Sequence, residues 1–233
     1  MRINQFLSRA GLGSRRGVEE LVLSGRVQVQ GLTMTDLSYH IQLGEEVRFD
    51  GKSISLPTSY TYLALFKPKE YLTSKKDNYH EKTIYTLLPP EYQGLSYAGR
   101  LDLDSRGLLL LSNDGSFVQE ITHPSQKIDK EYEVTTKDPM EYKAILEEFL
   151  IGIRSEGETL RMKEIKPVGT NLGKSNRFVC ILSEGKKRQI RRMFQAKGIS
   201  VSDLLRTRIG KLKLESLNLK EGEYRLVSKE SIL

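Results

Sequence analysis

Asp102 and Asp104 stand two residues apart in GRLDLDSRGLLLLSNDG, residues 99–115, directly ahead of four consecutive leucines. A fixed carboxylate can attack an electron-poor carbon or steady the positive charge that develops on it. Two carboxylates could instead divide acid and base work across a glycosidic bond, but neighbours at i and i+2 often point to different sides. Spacing alone favours turn or capping residues. What surrounds the pair is more informative. GLLLLS is short and apolar, as a strand buried on both faces should be, SNDG after it supplies turn residues, and Phe117, Val118 and Ile121 then start a helix. Asp102 therefore falls in a connection held by core packing, a suitable mount for a reactive group.

Other chemistries lack their residues. The single cysteine, Cys180 in RFVCILS, excludes an internal disulfide and reads as a buried small hydrophobe. His40, His80 and His123 are scattered without metal-ligand spacing, and neither common glycine-rich phosphate loop occurs, so no cofactor is expected. The formal charge of +7 favours a polyanionic partner. In EGKKRQIRRMF, Ile190, Met193 and Phe194 form one apolar helical stripe, while Lys187, Arg188, Arg191 and Arg192 gather opposite and Gly198 can end the helix. No acidic residue interrupts 186–197, which suits a surface that meets RNA. No run approaches the roughly 18 apolar residues of a membrane span, and the amino terminus lacks a secretory apolar centre. The expectation is a cytoplasmic protein with no membrane partner.

The elements that must position these groups divide into two units. Over residues 1–54, Ile3, Phe6, Leu7 and Ala10 have helical spacing, and Ser14 can cap a second helix carrying Val18, Leu21 and Val22. RVQVQG then alternates like a strand that EEVRFDG could pair with. Arg2, Arg9, Arg15, Arg16 and Arg26 all precede the third acidic residue of this unit, Asp36. SISLPTSY, residues 53–60, reads as a linker. Over 60–233, YTYLALFKP, LSYAGR, GLLLLS, KEYEVTT and NRFVCILSEG read as strands. DPMEYKAILEEFL reads as a helix with Asp138 as cap, Pro139 in the first turn and Glu141 after it. The fold class is α+β: a small module of two helices and a short sheet, then a domain on a mixed, largely antiparallel sheet.

LSRAGLGSRRGVEELVLSGRVQVQG resembles the small RNA-binding module named after a small-subunit ribosomal protein. AGRLDLDSRGLLLLSNDG resembles the signature of the ribosomal RNA pseudouridine synthases, with Ser105 where threonine is usual. YLALFKPKEYLTS is similar to that family's lysine-proline motif, DKEYEV to its lysine-x-tyrosine motif, EGKKRQIRRMF to its basic motif, and LLRTRIGKLKLESLNLKEGEYRLV to its closing segment. The resemblance spans nearly the whole chain. It implies an enzyme that turns a uridine of ribosomal RNA into pseudouridine without metal or cofactor. Asp102 would be the catalytic carboxylate, Tyr132 would lie against the base and move a proton, and Arg191 would pair with Asp102. Leu204 would wall the base pocket, and Arg100 would fill the helix vacated by the flipped uridine. The module's arginines, with Lys187, Arg188 and Arg192, would meet phosphates.

The chain departs from the family pattern at Lys69-Glu70, where many relatives have glycine second, at Arg188, where some carry histidine, and at Asp203, where arginine is usual. The acidic residue at 203, the length and the ending GEYRLVSKESI resemble the small-subunit branch. A large-subunit enzyme and a noncatalytic RNA-binding protein are the alternatives. The expected partner is ribosomal RNA or an assembling subunit, met by a monomer.

Overall fold

The computed structural model describes residues 1–13, 17–57, 59–75, 79, 81–169 and 173–233. Its contacts cluster into two units, Met1–Thr61 with the turn Asn113–Gly115, and Tyr62–Ser112 with Ser116–Leu233. The seven-residue helices α1 (Ile3–Arg9) and α2 (Gly17–Leu23) open the first unit. Ile3, Phe6, Leu7, Val18 and Val22 face inward, as their spacing predicts. They meet Val27, Val29 and Val47 from a four-stranded antiparallel sheet of β1 (Val27–Val29), β2 (Leu32–Thr33), β3 (Val47–Phe49) and β4 (Lys52–Ile54), ordered β2-β1-β3-β4. Ser53 and Ile54, read from sequence as linker, belong to β4 and pair with Arg48 and Val47. The Ser14 cap, with Arg15 and Arg16, lies outside the described residues.

The second unit is built on one sheet, ordered β11-β12-β8-β13-β7-β5-β15. In chain order its strands are β5 (Tyr62–Lys67), β6 (Ser96–Ala98), β7 (Arg106–Ser112), β8 (Lys130–Glu141), β9 (Ile153–Ser155), β10 (Glu158–Leu160), β11 (Glu164–Val168), β12 (Lys174–Leu182), β13 (Val201–Ile209), β14 (Leu212–Lys213) and β15 (Tyr224–Leu226). β6 pairs with β7 and β14 with β13, while β9 and β10 form a separate pair. Three helices complete it: α3 (Gly115–Thr122), α4 (Lys143–Ile151) and α5 (Gln189–Gln195).

The four leucines divide as a pleated strand requires. Leu108 and Leu110 pack with Ala64, Phe117 and Ile121 on one face; Leu109 and Leu111 pack with Leu63, Leu65 and Ile84 on the other. Each is worth about 1.5–3 kcal/mol by burial, so the strand behind Asp102 is firmly set. Every pairing in the large sheet is antiparallel except β13 with β7. That junction is tight: Gly107 has φ +120, and a Cβ there would lie 2.4 Å from the Arg206 carbonyl oxygen.

One helix start differs from the sequence expectation. Asp138 to Glu141 continue β8, with Met140 opposite Ser175 and Glu141 opposite Lys174, and Tyr142 is the residue that precedes α4. Asp138 does not cap α4; pairing of Met140 and Glu141 with β12 outweighs a local capping sequence.

Candidate active site

Asp102 sits in the turn between β6 and β7, where Ser105 N–H donates to the Asp102 carbonyl at 3.1 Å. Neighbouring elements clamp this turn on several sides. Thr73 Oγ1 donates to the Leu101 carbonyl at 2.9 Å and the Glu70 amide to the Leu103 carbonyl at 2.8 Å. From the end of β5, the fully buried Lys67 ammonium donates to the carbonyls of Pro68 (2.9 Å), Asp102 (3.1 Å) and Ser105 (2.8 Å). Burial pushes Lys67 down to about 8, with the Asp102 carboxylate opposing the shift. Glu70 has φ +66, a backbone shape that glycine adopts most readily.

A cavity of about 330 Å³ opens beside the turn, at the lower end of the range for small-molecule sites, roughly 300–1,000 Å³. Asp102, Tyr132, Leu204, Arg100, Lys187 and Arg188 all line it. Tyr132 and Leu204 come from the adjacent strands β8 and β13 and are buried, whereas Arg100, Lys187 and Arg188 are exposed. Sequence reasoning missed two further lining residues, Lys130 and Arg206. The signal for Lys130 was present: it stands two residues before Tyr132 in a strand, hence on the same face.

The expected pairing of Arg191 with Asp102 is corrected. Arg188 is the residue near Asp102, with Nη1 3.6 Å from Oδ2, and it also binds Asp104 through two contacts of 3.1 and 2.9 Å. Arg191 does not line the cavity. Its Nε lies 3.2 Å from Asp104 Oδ2 without hydrogen-bond alignment, and its Nη atoms donate to the carbonyls of Val201 (3.0 Å) and Asp104 (2.9 Å). The physical reason is placement. Arg191 lies in the first turn of α5 against β13, while Arg188 precedes the helix in a left-handed conformation that carries it outward. Burial opposes ionisation of Asp104, but the Arg188 hydrogen bond and the two guanidinium charges win and hold its carboxyl low.

Arg192 also departs from the basic-face reading. It is buried, bonded to Glu158 Oε1 at 2.7 Å and to the Ser155 carbonyl at 2.7 Å, and so staples α5 to β9 and β10. Lys187 and Arg188 lie before the helix rather than on it. Asp203, outside the cavity lining, binds Lys69 and Arg106, each at 2.7 Å; burial opposes the pair, yet the carboxyl falls to about 2. In the first unit Arg2 is exposed, Arg9 is mostly covered, and Arg26 is exposed, bonded to Asp50 and lying 4.6 Å over the Phe49 ring. No metal-binding cluster of His, Cys, Asp and Glu occurs among the described residues, and none of their helices is long and apolar enough to cross a membrane.

The family models place this geometry. One described as RNA pseudouridylate synthase matches residues 61–196, and one described as S4 domain matches residues 1–47. The class is thus an RNA-binding domain joined to a nucleobase-isomerising domain. The chain belongs to the RNA pseudouridylate synthase family and is a pseudouridine synthase. Over 234 residues it is 32% identical to the ribosomal small subunit pseudouridine synthase A of Vibrio parahaemolyticus, covering 100% of this chain and 98% of the relative. It is 34% identical to the ribosomal large subunit pseudouridine synthase B of Haemophilus influenzae, covering 91% and 61% respectively. A crystal structure of a pseudouridylate synthase superposes with a TM-score of 0.71 at 29% identity, covering 100% of this chain and 98% of that one.

Proposed function

We propose that the protein isomerises a uridine of ribosomal RNA, in the small subunit, with Asp102 as the carboxylate that faces ribose C1′. The observation that carries this reading is the common cavity: a partly exposed carboxylate on a clamped turn shares about 330 Å³ with Tyr132 and an apolar wall that includes Leu204. The reaction breaks the C1′–N1 bond, turns the base and joins C5 to C1′. Asp102 answers the electron deficiency at C1′, and the Arg188 guanidinium, 3.6 Å from its Oδ2, helps to orient that carboxylate. Arg191 acts at one remove, binding the Asp104 carbonyl of the same turn. Tyr132 lies against the base and moves a proton as the ring turns. Arg100, exposed at the cavity mouth, takes the place of the extruded uridine in the RNA helix, an extrusion that costs a few kcal/mol.

RNA backbone contacts fall to Lys187 and Arg188 at the mouth and to Arg2, Arg9 and Arg26 of the first unit; Arg15 and Arg16 belong to the same proposal from sequence alone. The enzyme works as a cytoplasmic monomer on ribosomal RNA or an assembling subunit, with no cofactor. The small-subunit choice follows the acidic residue at 203, the length and the closing segment. The Haemophilus relative, named for the large subunit, supports the second reading. Mapping pseudouridines in both ribosomal RNAs of a deletion strain decides between them: a site lost from the small-subunit RNA is expected, and one lost only from the large-subunit RNA overturns the choice. Asp102→Asn is expected to bind precursor RNA normally and form no pseudouridine. Full activity in that variant refutes the assigned role.

A further inference from the structure

Of the cavity-lining cations that are drawn in from solvent, the half-buried Lys130 and the buried Arg206 have no carboxylate partner among the described residues. Lys130 Nζ donates to the Ile121 carbonyl at 2.9 Å, and Arg206 Nε donates to the Leu108 carbonyl at 2.7 Å; neither forms an ion pair among the described residues. The ammonium keeps two unused donors and the guanidinium keeps its two terminal nitrogens. Arg206 is 4% exposed and its Nη2 is sealed from solvent with no acceptor. Several other cations around the site are matched, Arg188 with Asp102 and Asp104, Arg106 and Lys69 with Asp203, Arg192 with Glu158, while Arg100 and Lys187 stand in solvent with no ion pair among the described residues. Leaving a buried charge and a half-buried one unmatched is costly. Register places them together, since Arg206 lies opposite Tyr132 across β13 and β8, and Lys130 stands two residues before Tyr132.

We infer that Lys130 and Arg206 are catalytic residues of the same isomerisation, placed to receive the negative charge that uracil acquires when its bond to ribose breaks. The inference rests on the reading above. When C1′–N1 cleaves, both electrons leave on N1, and the ring spreads the charge over O2 and O4. C1′ is left electron-poor in front of Asp102, so the two charges of the broken bond fall in one cavity that Asp102 and the two cations all line. After the base turns, C5 gives its electron pair to C1′ and the ring becomes neutral; C5 then loses its proton to solvent while N1 takes one up, so the product is neutral and the cations are released. No oxidant, reductant or metal enters the balance.

A phosphate would suit two cations as well, but the exposed mouth already offers Lys187 and Arg188 for that. The interior pair adjoins Tyr132 and Leu204, the base-facing part of the lining. Burial and the nearby Arg206 charge lower Lys130 to about 8, which still leaves it mostly protonated at neutral pH.

The test uses the full chain and unmodified transcripts of both ribosomal RNAs carrying uridine tritiated at C5, so that each turnover releases tritium. Loss of one such charge-stabilising donor typically costs about 10²–10³ in rate. Lys130→Met is therefore expected to slow single-turnover release by about 10²-fold with RNA affinity within about twofold of the parent, and Lys130→Arg to recover most of the rate. Arg206→Lys keeps the charge and is expected to lose less than Arg206→Gln. In transcripts containing 5-fluorouridine, whose ring carries negative charge more easily, the Lys130→Met defect should shrink by about tenfold, read as loss of that nucleoside by mass spectrometry. Unchanged release from Lys130→Met, an equal defect on both nucleosides, or weakened RNA binding with a normal rate at saturation overturns the inference. Release of no tritium by the parent protein overturns the reading of Asp102 chemistry itself, and so tells the two failures apart.

Discussion

Lys67→Met separates rigidity of the catalytic turn from stability of the fold. Methionine has nearly the length of lysine and needs no partner, so the cavity left is small and the loss is chiefly of hydrogen bonds. The Asp102 carbonyl keeps the Ser105 amide, whereas the carbonyls of Pro68 and Ser105 lose the ammonium. Two stranded carbonyls at ~1–3 kcal/mol each cost about 2–6 kcal/mol. Relief from holding a buried ammonium, whose pKa falls from 10.5 to about 8, returns about 3 kcal/mol. The net loss at pH 7.5 is on the order of 1 kcal/mol. Rate should respond far more. A displacement of about 1 Å in a reacting group can cost ~10²-fold, and Lys67 holds the backbone of Asp102 itself.

Single-turnover pseudouridine formation at saturating protein is the first assay, and a loss of about 10²-fold with unchanged RNA affinity is expected. Urea unfolding at pH 7.5 and 9.5 is the second. Between pH 8 and 10.5 the unfolded chain binds a proton that the folded protein has lost, so Lys67 makes the parent more stable as pH rises, by about 2 kcal/mol over this interval. The variant lacks that contribution, and Lys130, common to both, cancels; the gap between them should widen from about 1 to about 3 kcal/mol. A variant that keeps the full rate, or a gap independent of pH, refutes the argument that Lys67 is a buried charge positioning the turn.

Asp203→Asn should destabilise the protein by about 2 kcal/mol at pH 7, because a carboxyl held near 2 by Arg106 and Lys69 stabilises the fold above its unfolded value of 3.8. That difference should vanish as pH falls through 2, and urea titrations at pH 7 and pH 2 measure both ends. Gly107→Ala forces a Cβ to 2.4 Å from the Arg206 carbonyl at a φ of +120 and should cost more than about 3 kcal/mol, seen as a large fall in melting temperature or loss of soluble protein. If about 6 phosphates are neutralised, affinity for ribosomal RNA should fall on the order of a thousandfold between 50 and 200 mM salt, and a flat response in filter binding would rule out this surface as the RNA contact.

Elements whose burial alternates were legible in the sequence. GLLLLS gave a strand buried on both faces because each leucine has apolar neighbours on its own side, and α1 and α2 followed from helical spacing. Local signals failed where distant chain competes. DPMEYK carries a good helix start, yet residues 138–141 extend β8 because Met140 and Glu141 pair with β12, more than thirty residues on. The same limit applies to the basic motif. RQIRR has the composition of an exposed cationic face, but Arg192 is neutralised by Glu158, which lies 34 residues earlier. Asp102 and Tyr132 were found through motif resemblance. Lys67 and Arg206 were not assigned roles, since a lysine ending a strand and an arginine within one acquire meaning only when carbonyls from other segments close around them.

Charge in the second unit is arranged by depth. At the surface of the turn Asp102 and Asp104 face Arg188, with Arg191 behind, and the guanidiniums hold the Asp104 carboxyl low. Deeper, Lys130 and Arg206 remain unmatched. A neutral uridine entering from solvent passes a mouth whose exposed Arg100 and Lys187 suit RNA phosphates and reaches an interior that favours anions. Such an interior adds little to binding of the neutral base and much to the moment when N1 carries the electrons of the broken bond, which is where an enzyme gains rate rather than affinity. The sheet makes this possible, because β8 and β13 present Tyr132 and Arg206 as cross-strand neighbours while β7, packed on both faces, fixes the turn that carries Asp102.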